Sequence, residues 1–135
     1  MLMKKKVFTA LGLMSGTSMD GVDLSLIKSD GHNEFTTILD KYFEFDKNLQ
    51  KKLIVYREQL NSINDLEKHS EELQALEREF TLFHVKILNE ILTNSKYKIE
   101  LIGFHGQTVL HNSEKKISKQ IGDGMLLSHL TKKNV

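Results

Sequence analysis

The 135 residues contain no cysteine, no proline and no tryptophan. Without cysteine there can be no disulfide, no thiolate metal site and no cysteine nucleophile, a composition that fits a reducing compartment. No apolar run approaches the roughly 20 residues needed to cross a bilayer. Nineteen Lys plus Arg against eighteen Asp plus Glu leave a net charge of +1, too balanced to gather phosphate backbones or an anionic lipid surface. The expectation is a soluble protein with neither nucleic acid nor membrane as partner. Internal repeats, low-complexity tracts and linkers rich in Gly, Ser or Pro are also missing, and 39% of the residues are apolar, so one domain around one core is expected.

Lys4, Lys5 and Lys6 precede an apolar stretch at 7–14, with Gly16-Thr17-Ser18 after it. That outlines a secretory signal, but the stretch is short and broken by Thr9 and Gly12, and a first strand covered on both faces accounts for it more simply. Residues 16–21 supply turn chemistry, and 22–28 alternate, with Val22, Leu24 and Leu26 on one face and Asp23 and Ser25 on the other. Asp30-Gly31 signals a hairpin, and a second alternating segment spans about 35–45, so the first third reads as a three-stranded antiparallel meander.

The period then changes. Behind a cap at Asp46, Leu49, Leu53, Tyr56 and Leu60 fall at helical spacing. Behind the capping box Ser62-Ile63-Asn64-Asp65, apolar residues recur at Leu66, Leu73, Leu76, Phe80, Phe83, Ile87 and Ile91, predicting one long helix. Sustained heptads with paired flanking charges are lacking, so packing against the sheet explains this stretch better than a coiled-coil seam, and it is given no chemistry. Extended structure returns at 100–104 and 117–121, and Asp123 caps a helix through Met125, Leu126, Leu127 and Leu130. The final Lys132-Lys133-Asn134-Val135 suggests that another strand is about to begin, as at a cut in a longer chain.

Three clusters carry candidate chemistry. In residues 12–23, glycines let backbone N–H groups approach a ligand and Ser and Thr hydroxyls add donors, which suits phosphoryl oxygens. Asp20 and Asp23 flank Gly21 and would repel a phosphate unless a divalent cation or a sugar hydroxyl stood between, a combination found in kinases and ATPases. The loop has no Walker Lys-Ser/Thr, no G-x-G-x-x-G and no complete nucleophile elbow, and a plain hairpin turn would use the same residue types. The second cluster, Gly103-Phe104-His105-Gly106-Gln107-Thr108, follows a strand, where His105 and Gln107 can bind a polar ligand or simply be satisfied in a core. The third, Gln120-Ile121-Gly122-Asp123-Gly124, sets an acid between glycines at a helix start, as a sugar-hydroxyl acceptor or an ordinary cap. His105, His111 and Asp123 have no recognised metal spacing, and no metal ligand is assigned.

Taken in order, Ser15-Gly16-Thr17-Ser18-Met19-Asp20-Gly21-Val22-Asp23, His105-Gly106-Gln107-Thr108 and Gln120-Ile121-Gly122-Asp123-Gly124 resemble the amino-terminal portion of the anhydro-N-acetylmuramic acid kinases. The resemblance runs essentially end to end, matching the helical middle in length and pattern more than in residues. It implies an α/β fold of the actin-like ATPase and sugar-kinase (ribonuclease H-like) class, of which residues 1–135 would be the amino-terminal domain of a longer, truncated chain.

By the same resemblance, Gly16, Thr17, Ser18, Met19, Asp20, Gly21, Val22 and Asp23 form the ATP phosphate site, while His105, Gly106, Gln107, Gly122 and Asp123 line the cleft for the anhydro-sugar. ATP and Mg2+ are the implied cofactors, the setting is cytoplasmic cell-wall recycling, and a homodimer of the full-length protein is compatible with the family. The family's catalytic Asp is expected beyond Val135, so no residue of this chain is assigned as catalytic and the chain is expected to be inactive alone. Ser113 stands where the family usually has a proline. A cut through such a fold further predicts an exposed apolar patch.

Overall fold

The computed structural model describes residues 4–135. Strands β1 (Phe8–Met14), β2 (Gly21–Ser29) and β3 (Phe35–Glu44) lead into helices α1 (Lys47–Gln59), α2 (Ile63–Lys68) and α3 (Ser70–Asn94). Strands β4 (Leu101–Phe104), β5 (Gln107–Asn112) and β6 (Ile117–Ile121) and helix α4 (Gly124–Thr131) complete the order. The first three strands form the expected antiparallel meander, β4 joins parallel to β1, and the sheet runs β3-β2-β1-β4. β5 and β6 make a separate antiparallel hairpin. The result is a mixed α/β unit with both antiparallel and parallel pairing, consistent with an amino-terminal sugar-kinase-like domain.

Local chemistry explains the turns and starts. At the β2–β3 turn, Asp30 Oδ1 accepts from the N–H groups of His32, Asn33 and Glu34 at 3.0, 3.2 and 3.0 Å. Those donors, His32 first, hold its carboxyl well below the usual range. Asp46 accepts from Leu49 N–H at 2.8 Å and Ser62 from Asp65 N–H at 3.2 Å, capping α1 and α2.

Alternation puts Leu11, Leu13, Val22, Leu24, Leu26 and Ile102 on the inner face of the sheet, against Leu49 and Leu53 of α1 and Leu76, Phe80 and Leu88 of α3. Phe45 meets Phe83 edge-on at 5.1 Å and Phe80 at 5.9 Å. Near-complete removal of such side chains from water, about 1.5–3 kcal/mol each, holds α3 against the sheet.

Two expectations are corrected, and one strand is added. β1 is covered on one face only: Gly12 and Met14, the latter 58% exposed, alternate with buried Leu11 and Leu13. Its continuous apolar run therefore reflects glycine and methionine on the outer side, not two-sided burial. On that outer face Asp23 lies in register with Met14 and Tyr42, and Ser25 with Gly12 and Asp40. The single long helix is two, broken at His69, whose φ of −103° and ψ of 20° leave the α region. The His69 ring packs edge-on against Tyr56 at 5.7 Å. Finally, Gln107–Asn112 is a strand for which the sequence carried no clean alternation; its burial pattern is irregular because a bulge lies between Thr108 and Leu110. After α4, Asn134 makes a parallel bridge to Leu101, as the strand-like final residues suggested.

Candidate functional site

Parallel pairing of β1 with β4, with Leu13 opposite Phe104, brings the carboxyl ends of the two strands together. Just past those ends the first two motifs meet. Ser15 Oγ donates to the Gly106 carbonyl at 3.0 Å, and Gln107 Nε2 donates to the Gly16 carbonyl at 3.1 Å. The third motif closes on the same point: a Cβ on Gly122 would lie 3.0 Å from Gly106 Cα and 2.9 Å from Phe104 Cζ. Gly106 (φ +80°) and Gly122 (φ +147°) both adopt conformations that favour glycine.

Residues 16–19 form a turn closed by Met19 N–H donating to the Gly16 carbonyl at 3.2 Å. Thr17 and Ser18 are exposed at its tip, while Met19 (φ 54°) drives its side chain into the core. Burial of that side chain outweighs the cost of a left-handed methionine, about 1–2 kcal/mol. Val22 is likewise fully buried, so Met19 and Val22 can meet a ligand only through their backbones. Gly21 is required by close approach: a Cβ there would lie 2.3 Å from the Phe43 carbonyl oxygen. Asp20 is exposed, accepts from Ser18 Oγ at 2.7 Å, and is held below the usual carboxylate range chiefly by that hydroxyl. Asp23, on β2 opposite Met14 and Tyr42, sits on the open sheet face.

On the other side of the junction, His105 is exposed, Gly106 and Gln107 are buried, and Gly122 and Asp123 are half-buried. Asp123 Oδ1 accepts from Leu126 N–H at 2.9 Å, the cap of α4 that the sequence predicted. His111 is not gathered here. It lines a separate hollow of about 260 Å³ with Thr17, Arg57 and Thr108, and among the described residues no group of three or more His, Asp or Glu is placed to hold a metal ion.

Several residues that support this site escaped sequence reasoning. Glu77 Oε2 accepts from Gly122 N–H at 2.9 Å, and Thr81 Oγ1 accepts from Asp123 N–H at 3.0 Å while donating to the Glu77 carbonyl at 2.7 Å. Their four-residue spacing on one helix face was visible, but nothing local tied it to a turn some 40 residues later. Arg57 Nη1 donates to the Thr17 carbonyl at 2.6 Å. His84 packs under Phe104 at 5.0 Å, with Nδ1 at 2.9 Å from the Phe80 carbonyl oxygen, and burial pushes its pKa down to about 4. It is therefore neutral at pH 7.

An exposed turn of small residues beside an ionised carboxylate, joined to a second rim bearing an imidazole and a carboxylate, suits a polyanion with its counter-cation next to a polyol. A family model described as anhydro-N-acetylmuramic acid kinase matches residues 8–135. A protein of that name from Pelagibacter ubique (strain HTCC1062) is 55% identical over 131 residues, covering 97% of this chain and 35% of the relative. The namesake from Agrobacterium fabrum (strain C58) is 36% identical over 132 residues, 93% of this chain and 35% of the relative. That from Brucella canis is 36% identical over 125 residues, 90% and 34%. The chain thus spans about a third of the length of the curated relatives it matches. The chain belongs to the anhydro-N-acetylmuramic acid kinase family.

Proposed function

We propose that residues 1–135 are the amino-terminal domain of a kinase that phosphorylates 1,6-anhydro-N-acetylmuramic acid in cytoplasmic cell-wall recycling. In this reaction water attacks the anomeric carbon, the bond from C1 to O6 breaks, and O6 takes the γ-phosphoryl group of ATP, giving N-acetylmuramate 6-phosphate and ADP. The supporting observation is the junction itself: the Gly16–Met19 turn and the turns at 105–107 and 122–123 share hydrogen bonds and backbone contacts. A phosphate held at one would lie beside a sugar held at the other, as transfer between them requires.

In this reading Gly16, Thr17 and Ser18 meet the phosphates through N–H and hydroxyl donors, with Met19, Gly21 and Val22 shaping the turn from beneath. Asp20, exposed and held ionised, is chemically suited to the water shell of magnesium, with Asp23 further along the open face. Magnesium, when bound, offsets charge on the moving phosphoryl group. His105 and Asp123 reach the sugar hydroxyls, Asp123 with the oxygen not used by its helix cap, while Gly106, Gln107 and Gly122 form the floor. None of these residues is assigned as the carboxylate base that activates water.

Two measurements test this. Calorimetry of the chain with the anhydro-sugar is expected to show binding that Asp123→Ala weakens. A longer protein supplying the remaining length seen in the relatives is expected to release ADP when given ATP and the anhydro-sugar; a folded protein of that length releasing none would overturn the proposal.

A further inference from the structure

We infer that Gln107 is a positioning residue for the Gly16–Met19 turn, and that Ser15 and Gln107 clasp the phosphate-facing and sugar-facing loops into one unit. The functional meaning of the clasp rests on the reading of that turn given above; its geometry does not.

The exchange is reciprocal. Each loop sends one side-chain donor to the other's carbonyl: Ser15 Oγ to Gly106 at 3.0 Å, Gln107 Nε2 to Gly16 at 3.1 Å. Both side chains belong to buried residues, Ser15 5% and Gln107 0% exposed, so water competes poorly for either bond. The Gly16 carbonyl also receives Met19 N–H, and its two lone pairs are therefore shared between the donor that closes the turn and the donor that anchors it. No cis peptide is present among the described residues, and in a trans peptide C=O and the following N–H point opposite ways. Drawing the Gly16 oxygen inward toward Gln107 turns Thr17 N–H outward, where a ligand at the exposed tip would find it.

The other end of the amide supports a role beyond packing. Gln107 Nε2 also approaches the Thr108 carbonyl at 3.4 Å, so a flipped amide would set oxygen against two oxygens. Oε1 is buried without a hydrogen-bond partner. A leucine or methionine would fill this place without that penalty, so core packing alone does not account for a glutamine here.

The test is amide hydrogen exchange and backbone relaxation on the chain without nucleotide, for the wild type and for Gln107→Leu, Ser15→Ala and Gln107→Glu. Gln107→Leu is expected to lower protection of the Met19 amide at least tenfold and to loosen Thr17 and Ser18, while core amides of β1 and β2 keep their protection. Ser15→Ala should act in the same direction. Gln107→Glu, whose ionised carboxylate cannot donate to the Gly16 carbonyl, should be loose at pH 8. Unchanged Met19 protection in both Gln107→Leu and Ser15→Ala, or a uniform loss across the whole chain in both, would overturn the inference. Because no nucleotide is used, a wild type that shows the clasp yet fails to bind MgATP would count against the functional reading alone.

Discussion

Gly106 lies so close to Ile121 that a Cβ at residue 106 would sit 2.2 Å from the Ile121 carbonyl oxygen. Backbone cannot yield as a side-chain tip can, and φ +80° adds strain for any L side chain. Gly106→Ala should therefore cost about 3 kcal/mol or more, read as a drop in the denaturation midpoint. Gly12→Ala is the control: among the described residues, chain neighbours aside, nothing lies within 4 Å of its added Cβ, and a gain of about 0.4–1 kcal/mol is expected from the restricted unfolded chain. Equal losses in the two variants would show that the close approach is not what demands glycine.

Gly16→Ala separates fold from ligand. Among the described residues, chain neighbours aside, the one heavy atom within 4 Å of its Cβ is Ser18 Oγ at 3.9 Å, so stability should change by no more than about 0.5 kcal/mol. The added methyl nevertheless stands at the turn proposed to meet phosphates, and affinity for MgATP in a protein of the relatives' length should fall at least tenfold. Asp20→Asn, also at an exposed position, should likewise spare stability while weakening binding of the magnesium complex more than that of free ATP.

His84 ties stability to pH. Burial lowers its folded pKa to about 4 from 6.5, so the unfolded chain binds the proton more readily between those values. Its contribution is complete above pH 6.5 and is lost as pH falls toward 4, about 3 kcal/mol in all and about 2 kcal/mol by pH 5. Denaturant titrations at pH 7 and pH 5 should show that difference in the wild type and a much smaller one in His84→Leu. A pH-independent wild type would mean that the buried ring accepts a proton without penalty.

Thr81→Val tests the support from α3. The buried hydroxyl is the acceptor for Asp123 N–H, and its removal should cost about 1–3 kcal/mol because the partner is left unsatisfied. Asp123→Ala removes the α4 cap and should cost about 1 kcal/mol. The two residues share one turn, so the double variant should deviate from additivity by 0.5 kcal/mol or more on the order expected for contacting groups.

The sequence by itself determined the elements whose chemistry is local. Alternation at Val22, Leu24 and Leu26 set β2, the carboxylates of Asp46 and Asp123 set the starts of α1 and α4, and Asp30-Gly31 set the β2–β3 turn. It also marked the three motifs, since small and polar residues between apolar runs stand out without any knowledge of neighbours. Only the tertiary structure decided which residues each motif touches. The parallel register of β1 on β4 puts Ser15 beside Gly106 across 91 residues of chain, and α3 brings Glu77 and Thr81 to Gly122 and Asp123. The break at His69, the open outer face of β1 and the bulged strand β5 were hidden for the same reason. Local propensity is a property of a short window, whereas burial, register and a shared hydrogen bond exist only once distant segments have packed together.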